Sequence, residues 1–349
     1  MLASYIYRPL NFYRPAGTSR GILHQKACWY VQLQDETGIS GLGEVGFIPG
    51  LSVEDPAELE IQLDHVCKLI TRDEMDPDQD LPSLPGIRFA LETALLDLER
   101  GGTKKLFPSE FTGGLAGIPI NGLIWMGDPG YMKEQVKEKI AAGFRVLKMK
   151  VGAINLQDEL EVLSLIRSDF GPGDLEIRLD ANGAWSAREA PAKLKAFEKF
   201  GIHSMEQPIK AGQAEEMAHL VEKSPIPIAL DEELIGLSDS SERRMMLETI
   251  KPAYMILKPG LLGGFQSSSD WIKHAKKLDI KWWATSALES NLGLSAIAQW
   301  TYQQEVTLPQ GLGTGQLYSN NLNSPLEMKG DQLWYLDAES WDPPADFNF

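Results

Sequence analysis

Positive charge is scarce in this chain: 33 lysines and arginines stand against 49 aspartates and glutamates, a formal net charge of −16. Nucleic-acid binding needs a basic footprint and an anionic membrane surface repels such a chain, so neither is expected as a partner. Cysteine is scarcer still. Cys28 and Cys67 are too few for a disulfide framework, and their separation fits no zinc or thiol-redox motif, so they read as buried thiols in a reducing compartment. The five histidines, His24, His65, His203, His219 and His274, are scattered without ligand spacing. No apolar run reaches the ~20 residues of a membrane span, and Met1 to Arg8 lacks the basic start and continuous apolar stretch of a signal peptide. A cytoplasmic location is expected. An early glycine-rich phosphate turn is also missing, which disfavours an open nucleotide-binding sheet.

What is present suits a well-buried globular protein, with 43% hydrophobic and 23% charged residues. A length of 349 residues is close to one barrel of about 250 residues plus a smaller domain. Residues 1–115 read as an α+β unit. Strand signals at Tyr5 to Tyr7, Ala27 to Leu33 and Ile39 to Val45 surround the turn Asp35 to Gly38, and helical patterns follow at 55–70 and 85–100. Over 116–318 short apolar runs alternate with helical patterns about every 27 residues. Runs at Ile118 to Gly122, Val146 to Lys150, Leu175 to Asp180, Ser204 to Glu206, Pro227 to Asp231, Tyr254 to Lys258 and Lys281 to Ser286 precede the glycine-rich Gly311 to Gly315. An α/β fold follows, a parallel β/α barrel behind an N-terminal α+β domain. The aromatic segment 319–349 is expected to pack back on the N-terminal unit.

Five charged residues end successive apolar runs: Lys150, Asp180, Glu206, Asp231 and Lys258. On a parallel barrel they recur at one height, at the strand ends where chemistry gathers. Asp180, Glu206 and Asp231 supply only hard oxygen ligands, which suits magnesium. Acids at strand ends also serve as helix caps or solvated groups, a plainer reading that three successive strands make less economical. Lys148 and Lys150 lie at i and i+2, pointing to one face about 6.6 Å apart. A like charge and desolvation push a lysine pKa down, so Lys148 can help to make Lys150 a base. Lys258, opposite, suits a second acid or base, a cation facing a developing enolate, or a salt bridge to one of the acids. The implied chemistry is proton removal α to a carboxylate.

In this pattern the chain resembles the enolase superfamily, whose members use Lys or His bases with magnesium. Lys148-Met149-Lys150, Asp180-Ala181-Asn182, Glu206-Gln207-Pro208, Asp231-Glu232 and Lys258-Pro259-Gly260 match its muconate-lactonising-enzyme-like subgroup. The resemblance implies a modified (β/α)7β barrel with a capping domain, Mg2+ (with Mn2+ as a substitute) on Asp180, Glu206 and Asp231, and Lys148, Lys150 and Lys258 as catalytic residues. Within the subgroup the o-succinylbenzoate synthase family is most similar, on Gly17-Thr18-Ser19-Arg20-Gly21, Thr285 to Ser290 and Gly311 to Leu317. It implies dehydration of 2-succinyl-6-hydroxy-2,4-cyclohexadiene-1-carboxylate to 2-succinylbenzoate in menaquinone biosynthesis. Arg20, Asn182, Ser286, Gly313 and Thr314 are then the substrate-binding candidates. Gly41 to Val45 and Pro49 to Leu51 resemble the second loop of the cap, which excludes water. Dipeptide epimerases of the subgroup carry Asp-x-Asp for a substrate ammonium where this chain has neutral Gly313-Thr314-Gly315, so a small-molecule dicarboxylate without an ammonium fits better. Racemisation of N-succinylamino acids or dipeptides, and a non-catalytic metal-binding barrel, remain alternatives. Oligomeric state is not readable.

Overall fold

The computed structural model describes residues 1–18, 21–80, 82–125, 127–305, 307–336 and 341. Arg20 therefore lies outside the described residues. The chain begins with β1 (Leu2–Tyr7), β2 (Leu10–Thr18), β3 (Gly21–Gln34) and β4 (Ser40–Phe47), with β3 pairing antiparallel to the other three. The turn between β3 and β4 forms where Asp35 Oδ1 accepts the Thr37 and Ile39 amides, at 2.9 and 3.0 Å. Strand β2 carries no clean alternation in sequence; its pairing with β3 shifts register between Asn11 and Ala16. Two helices follow, α1 (Pro56–Thr71) and α2 (Pro85–Glu99). Asp55 caps α1 by accepting the Ala57 amide at 2.8 Å, with Pro56 in the first turn.

Helix α2 buries Ile87, Ala90, Leu91 and Ala94, and the backbone of β4 presses onto it. A Cβ on Gly43 would lie 1.9 Å from the Ala90 carbonyl oxygen, and one on Gly41 would lie 2.0 Å from that of Ala94. Only glycine permits this approach. Gly41 to Val45 is thus a packed strand and not the water-excluding loop that the sequence suggests, whereas Pro49 and Leu51 do face the central cavity.

After β5 (Ile118–Pro119) come β6 (Gly122–Ile124), α3 (Pro129–Ala141), β7 (Val146–Lys150), α4 (Leu156–Asp169), β8 (Glu176–Asp180) and α5 (Ala190–Glu198). Then follow β9 (Ser204–Glu206), α6 (Ala214–Lys223), β10 (Ile228–Leu230), α7 (Ser240–Ile250), β11 (Tyr254–Leu257), the short α8 (Pro259–Leu262), α9 (Gly264–Lys277), β12 (Lys281–Ala284) and α10 (Asn291–Gln303). From β6 onward the second unit alternates strand and helix, with two helices, α8 and α9, after β11. Strands β6 to β12 form one parallel sheet in sequence order. Its two ends meet across residues 310 and 311, through the parallel bridges Ile120 with Gln310 and Thr285 with Gly311. The molecule is a modified (β/α)7β barrel behind an antiparallel capping sheet. Below the strand ends the interior is filled by Ala229, Ile256 and Trp283, with the Arg178 guanidinium 4.3 Å over the Trp283 ring. That packed floor leaves the opposite end for chemistry.

Two boundaries differ from expectation. The run Ile118 to Gly122 is not one barrel strand: β5 pairs with a C-terminal strand, and the barrel strand starts only at Gly122. The last segment also divides. Around Ser319 and Asn320 it bonds to the capping sheet, where Asn320 accepts the Asn11 amide and donates to the Pro9 carbonyl, each at 2.8 Å. Further on, β13 (Leu326–Lys329) and β14 (Gln332–Tyr335) form a sheet with β5, burying Leu333 and Tyr335 in the barrel's core cluster.

Candidate active site

Register places the charged residues level. Lys150 is the partner of Asp180, and Asp180 that of Glu206, across β7, β8 and β9, and Glu206 is level with Ala229 of β10. Asp231 and Lys258 directly follow β10 and β11. Asp180, Glu206 and Asp231 are 0%, 2% and 1% exposed. Carboxylates so dry require compensating cations. Lys148 donates to Glu206 at 2.6 Å and pairs with Asp180 at 2.8 Å; Lys150 donates to Asp180 and to Asn182 Oδ1, both at 2.6 Å; Lys258 donates to Asp231.

Charge and burial act differently on the members of the ring. Burial disfavours the Lys148 ammonium, but Asp180 and Glu206 outweigh it and raise its pKa above the ordinary lysine value. Lys148 is a fixed cation, tied to acids across the ring. Burial likewise opposes charge on Lys258, and Asp231 with Glu232 overcomes it, so its pKa also rises. Asp180 is held well below the usual carboxylate range, because Lys148 and Lys150 prevail over its burial. Burial, and then the Asp180 charge, push Glu206 well above that range. Glu206 shares its one lysine partner among the described residues, Lys148, with Asp180, which has Lys150 as well, so Glu206 is the less compensated of the two.

Among the described residues no three acid, histidine or cysteine side chains gather closely enough to grip a metal; the lysine heads lie between the carboxylates. The donor set nonetheless fits a hard divalent cation, with three carboxylates from adjacent strand ends. Among the described residues Glu206 Oε2 is buried without a hydrogen-bond partner, as expected of a carboxylate oxygen suited to a cation. Gln207, which sequence reasoning passed over, secures the ends of β9 and β10. Its Oε1 accepts the Asp231 amide at 3.1 Å and the Glu233 amide at 3.3 Å, and its Nε2 donates to Glu233 Oε2 and the Ile209 carbonyl. Nothing in the segment Glu206-Gln207-Pro208 signals partners 24 residues downstream.

A cavity of about 730 Å³ opens above the ring, lined by Lys148, Lys150, Lys258, Asn182, Ser286, Gly313 and Thr314, with Leu23, Pro49 and Leu51 on the capping side. The three lysines and the described substrate-binding candidates thus line one space, while Asp180, Glu206 and Asp231 are not among its lining residues and are paired to its lysines. Ser286 and Thr314 share a hydrogen bond of 2.6 Å, and Thr285 Oγ1 donates to the Gly311 carbonyl at 3.0 Å. Asn182, in left-handed backbone at φ +44°, faces Lys150 with its oxygen and donates to Glu232 Oε1 at 3.0 Å. It supports Lys150 and ties it to Glu232. Glu232 also lines the cavity and was legible only as the second letter of Asp231-Glu232.

Residues 131–333 match the family described as enolase C-terminal domain-like. An o-succinylbenzoate synthase from Desulfotalea psychrophila is 47% identical, over 95% of this chain and 98% of that protein. The crystal structure of MenC from the same organism superposes with a TM-score of 0.86 at 44% identity, covering 96% of this chain and 99% of that one. An N-succinyl-L-Arg/Lys racemase from Bacillus cereus is 27% identical over 51% of this chain and 47% of its own. The chain belongs to the enolase superfamily, in its muconate-lactonising-enzyme-like subgroup, with o-succinylbenzoate synthase among its full-length relatives.

Proposed function

We propose that the chain catalyses, in the cytoplasm, the magnesium-dependent syn-dehydration of 2-succinyl-6-hydroxy-2,4-cyclohexadiene-1-carboxylate to 2-succinylbenzoate, a step of menaquinone biosynthesis. The reading is carried by the near-full-length 47% match to an o-succinylbenzoate synthase. Lys150 stands less enclosed than the other ring lysines, its side chain 18% exposed at the cavity. It removes the proton α to the carboxylate and, as the ammonium it has become, protonates the departing hydroxide on the same face. Lys258, across the ring, is a cation facing the enediolate as its charge develops. Lys148, held protonated by its acids, holds the substrate carboxylate. Asp180, Glu206 and Asp231 would hold Mg2+, or Mn2+ in its place, which when bound would supply electrophilic stabilisation of the developing negative charge. The Ser286 and Thr314 hydroxyls, Gly313 and Asn182 contact the substrate, and the neutral Gly313-Thr314-Gly315 turn suits an acyl arm without an ammonium.

Racemisation of N-succinylamino acids is the second reading, favoured by lysines tied to different acids of the ring and by the partial match to a racemase. Incubation of purified protein with the cyclohexadiene and Mg2+ is expected to yield 2-succinylbenzoate, with chelation abolishing the activity and Lys150→Ala lowering kcat by roughly 10²–10⁴-fold. Solvent-deuterium exchange at the α-carbon of an N-succinylamino acid, without dehydration of the cyclohexadiene, would decide for racemisation.

A further inference from the structure

A second group of buried charges lies where the capping sheet meets the barrel, outside the ring. Lys26 of β3, Glu44 of β4 and Glu289 from the turn between β12 and α10 are 2%, 0% and 3% exposed. Lys26 Nζ sits 3.7 Å from Glu44 Oε1 and has no hydrogen-bond partner among the described residues. Glycines make the room: a Cβ on Gly46 would come within 2.5 Å of Lys26 Nζ, one on Gly260 within 2.8 Å of Glu289 Oε1, and one on Gly293 within 2.8 Å of Glu44 Oε2. Gly260 follows Lys258 by two residues, so the group touches the turns after both the sixth and the seventh barrel strands.

Glu44 is fully engaged with the barrel. It accepts the Ser290 amide at 2.8 Å, the Ser290 hydroxyl at 2.5 Å and the Gly293 amide at 3.0 Å. A carboxylate 246 residues away in sequence thereby caps the 13-residue α10, where the helix dipole favours an anion. Between β12 and this cap the chain passes through Leu288 at φ +59°. A β-carbon in that conformation is strained and persists where the ends are held. Tyr318 supplies one hold by donating to the Leu288 carbonyl at 2.7 Å, and Glu289 another by accepting the Ala287 amide at 2.7 Å. Ser286, the residue presented to the cavity, lies inside this restrained turn.

We infer that Glu44, assisted by Lys26, is a positioning residue for the reaction: from the capping sheet it fixes the turn Thr285–Ser290 and so sets the Ser286 and Thr314 hydroxyls against the substrate. The inference rests on the ring and cavity being the reaction centre. It extends the role of the capping sheet from covering the site to aligning one wall of it.

The test is a double-mutant cycle. Glu44→Gln keeps the shape but replaces an acceptor oxygen by a donor, and it is combined with Ser286→Ala in steady-state dehydration assays. Glu44→Gln is expected to lower kcat/KM by about 10-fold to 100-fold in the wild-type background, and by much less once Ser286 is absent. Backbone amide exchange at Ser290 and Gly293 is expected to quicken. Ser290→Ala, which keeps both backbone amides, gives the same pattern with a smaller loss and serves if Glu44→Gln does not fold. Losses that simply multiply in the double variant, or a lowered Tm with kcat/KM unchanged, overturn the positioning role. If the wild type does not dehydrate the cyclohexadiene but exchanges the α-hydrogen of an N-succinylamino acid, the dehydration reading falls by itself. The cycle is then run on exchange.

Discussion

Gln207 shows how one uncharged residue governs a charged site. It occupies left-handed backbone at φ +38°, fully buried, with both acceptor and both donor positions of its amide used. A leucine there would strand the Asp231 and Glu233 amides and free the end of β10. Gln207→Leu is therefore expected to weaken Mn2+ or Mg2+ binding by about 10-fold to 100-fold, measured by titration calorimetry without substrate; unchanged affinity would show that Asp231 needs no such support. The acids and lysines of the ring were legible because a charge ending an apolar run is conspicuous. Gln207 was not, since an amide carries no mark of its partners. Lys148 was legible in place but not in its partners: the acids that fix its proton, Asp180 and Glu206, arrive from other strands.

At the level of elements, closeness of approach decides more than propensity. Strand β4 meets α2 through Gly41 and Gly43 with no space for a methyl group, and backbone oxygens cannot swing aside as side chains do. Gly43→Ala is expected to cost about 3 kcal/mol or more by forcing strand and helix apart, seen as a lowered midpoint in denaturant unfolding. A change under 1 kcal/mol would mean that the pair has slack. Helices α1 and α2 were legible to within a residue or two, because their apolar faces repeat at helical spacing and a proline starts each. Ile118 to Gly122 was misread as one strand because both halves are apolar and extended; what separates them is the pairing of Ile118 with Leu333. Strand β2 was missed because the long β3 holds it by backbone pairing and not by a patterned face.

Across the whole molecule, two buried carboxyls far from each other in sequence, Glu159 and Glu289, have pKa values pushed up to about 7 from 4.5, chiefly by burial. Folding then favours their protonated forms. That contribution is fully present below about pH 4.5 and is lost as pH rises through about 7. Glu289→Gln, which mimics the protonated acid and still accepts the Ala287 amide, is expected to raise Tm above pH 7 and to leave it unchanged near pH 4; a gain equal at both pH values would refute the linkage. The two-unit plan was legible from the change in texture near Gly113-Gly114, yet the divided course of the C-terminal segment was not, since a pairing across more than 200 residues leaves no local period. The ring itself is joined at Gln310 and Gly311 by single bridges where the other strands share longer ladders. Such a barrel is a clasp more than a hoop, and Gly311 also walls the cavity. A molecule seated against that wall braces the fastening, so substrate occupancy and the barrel's resistance to springing open rise together.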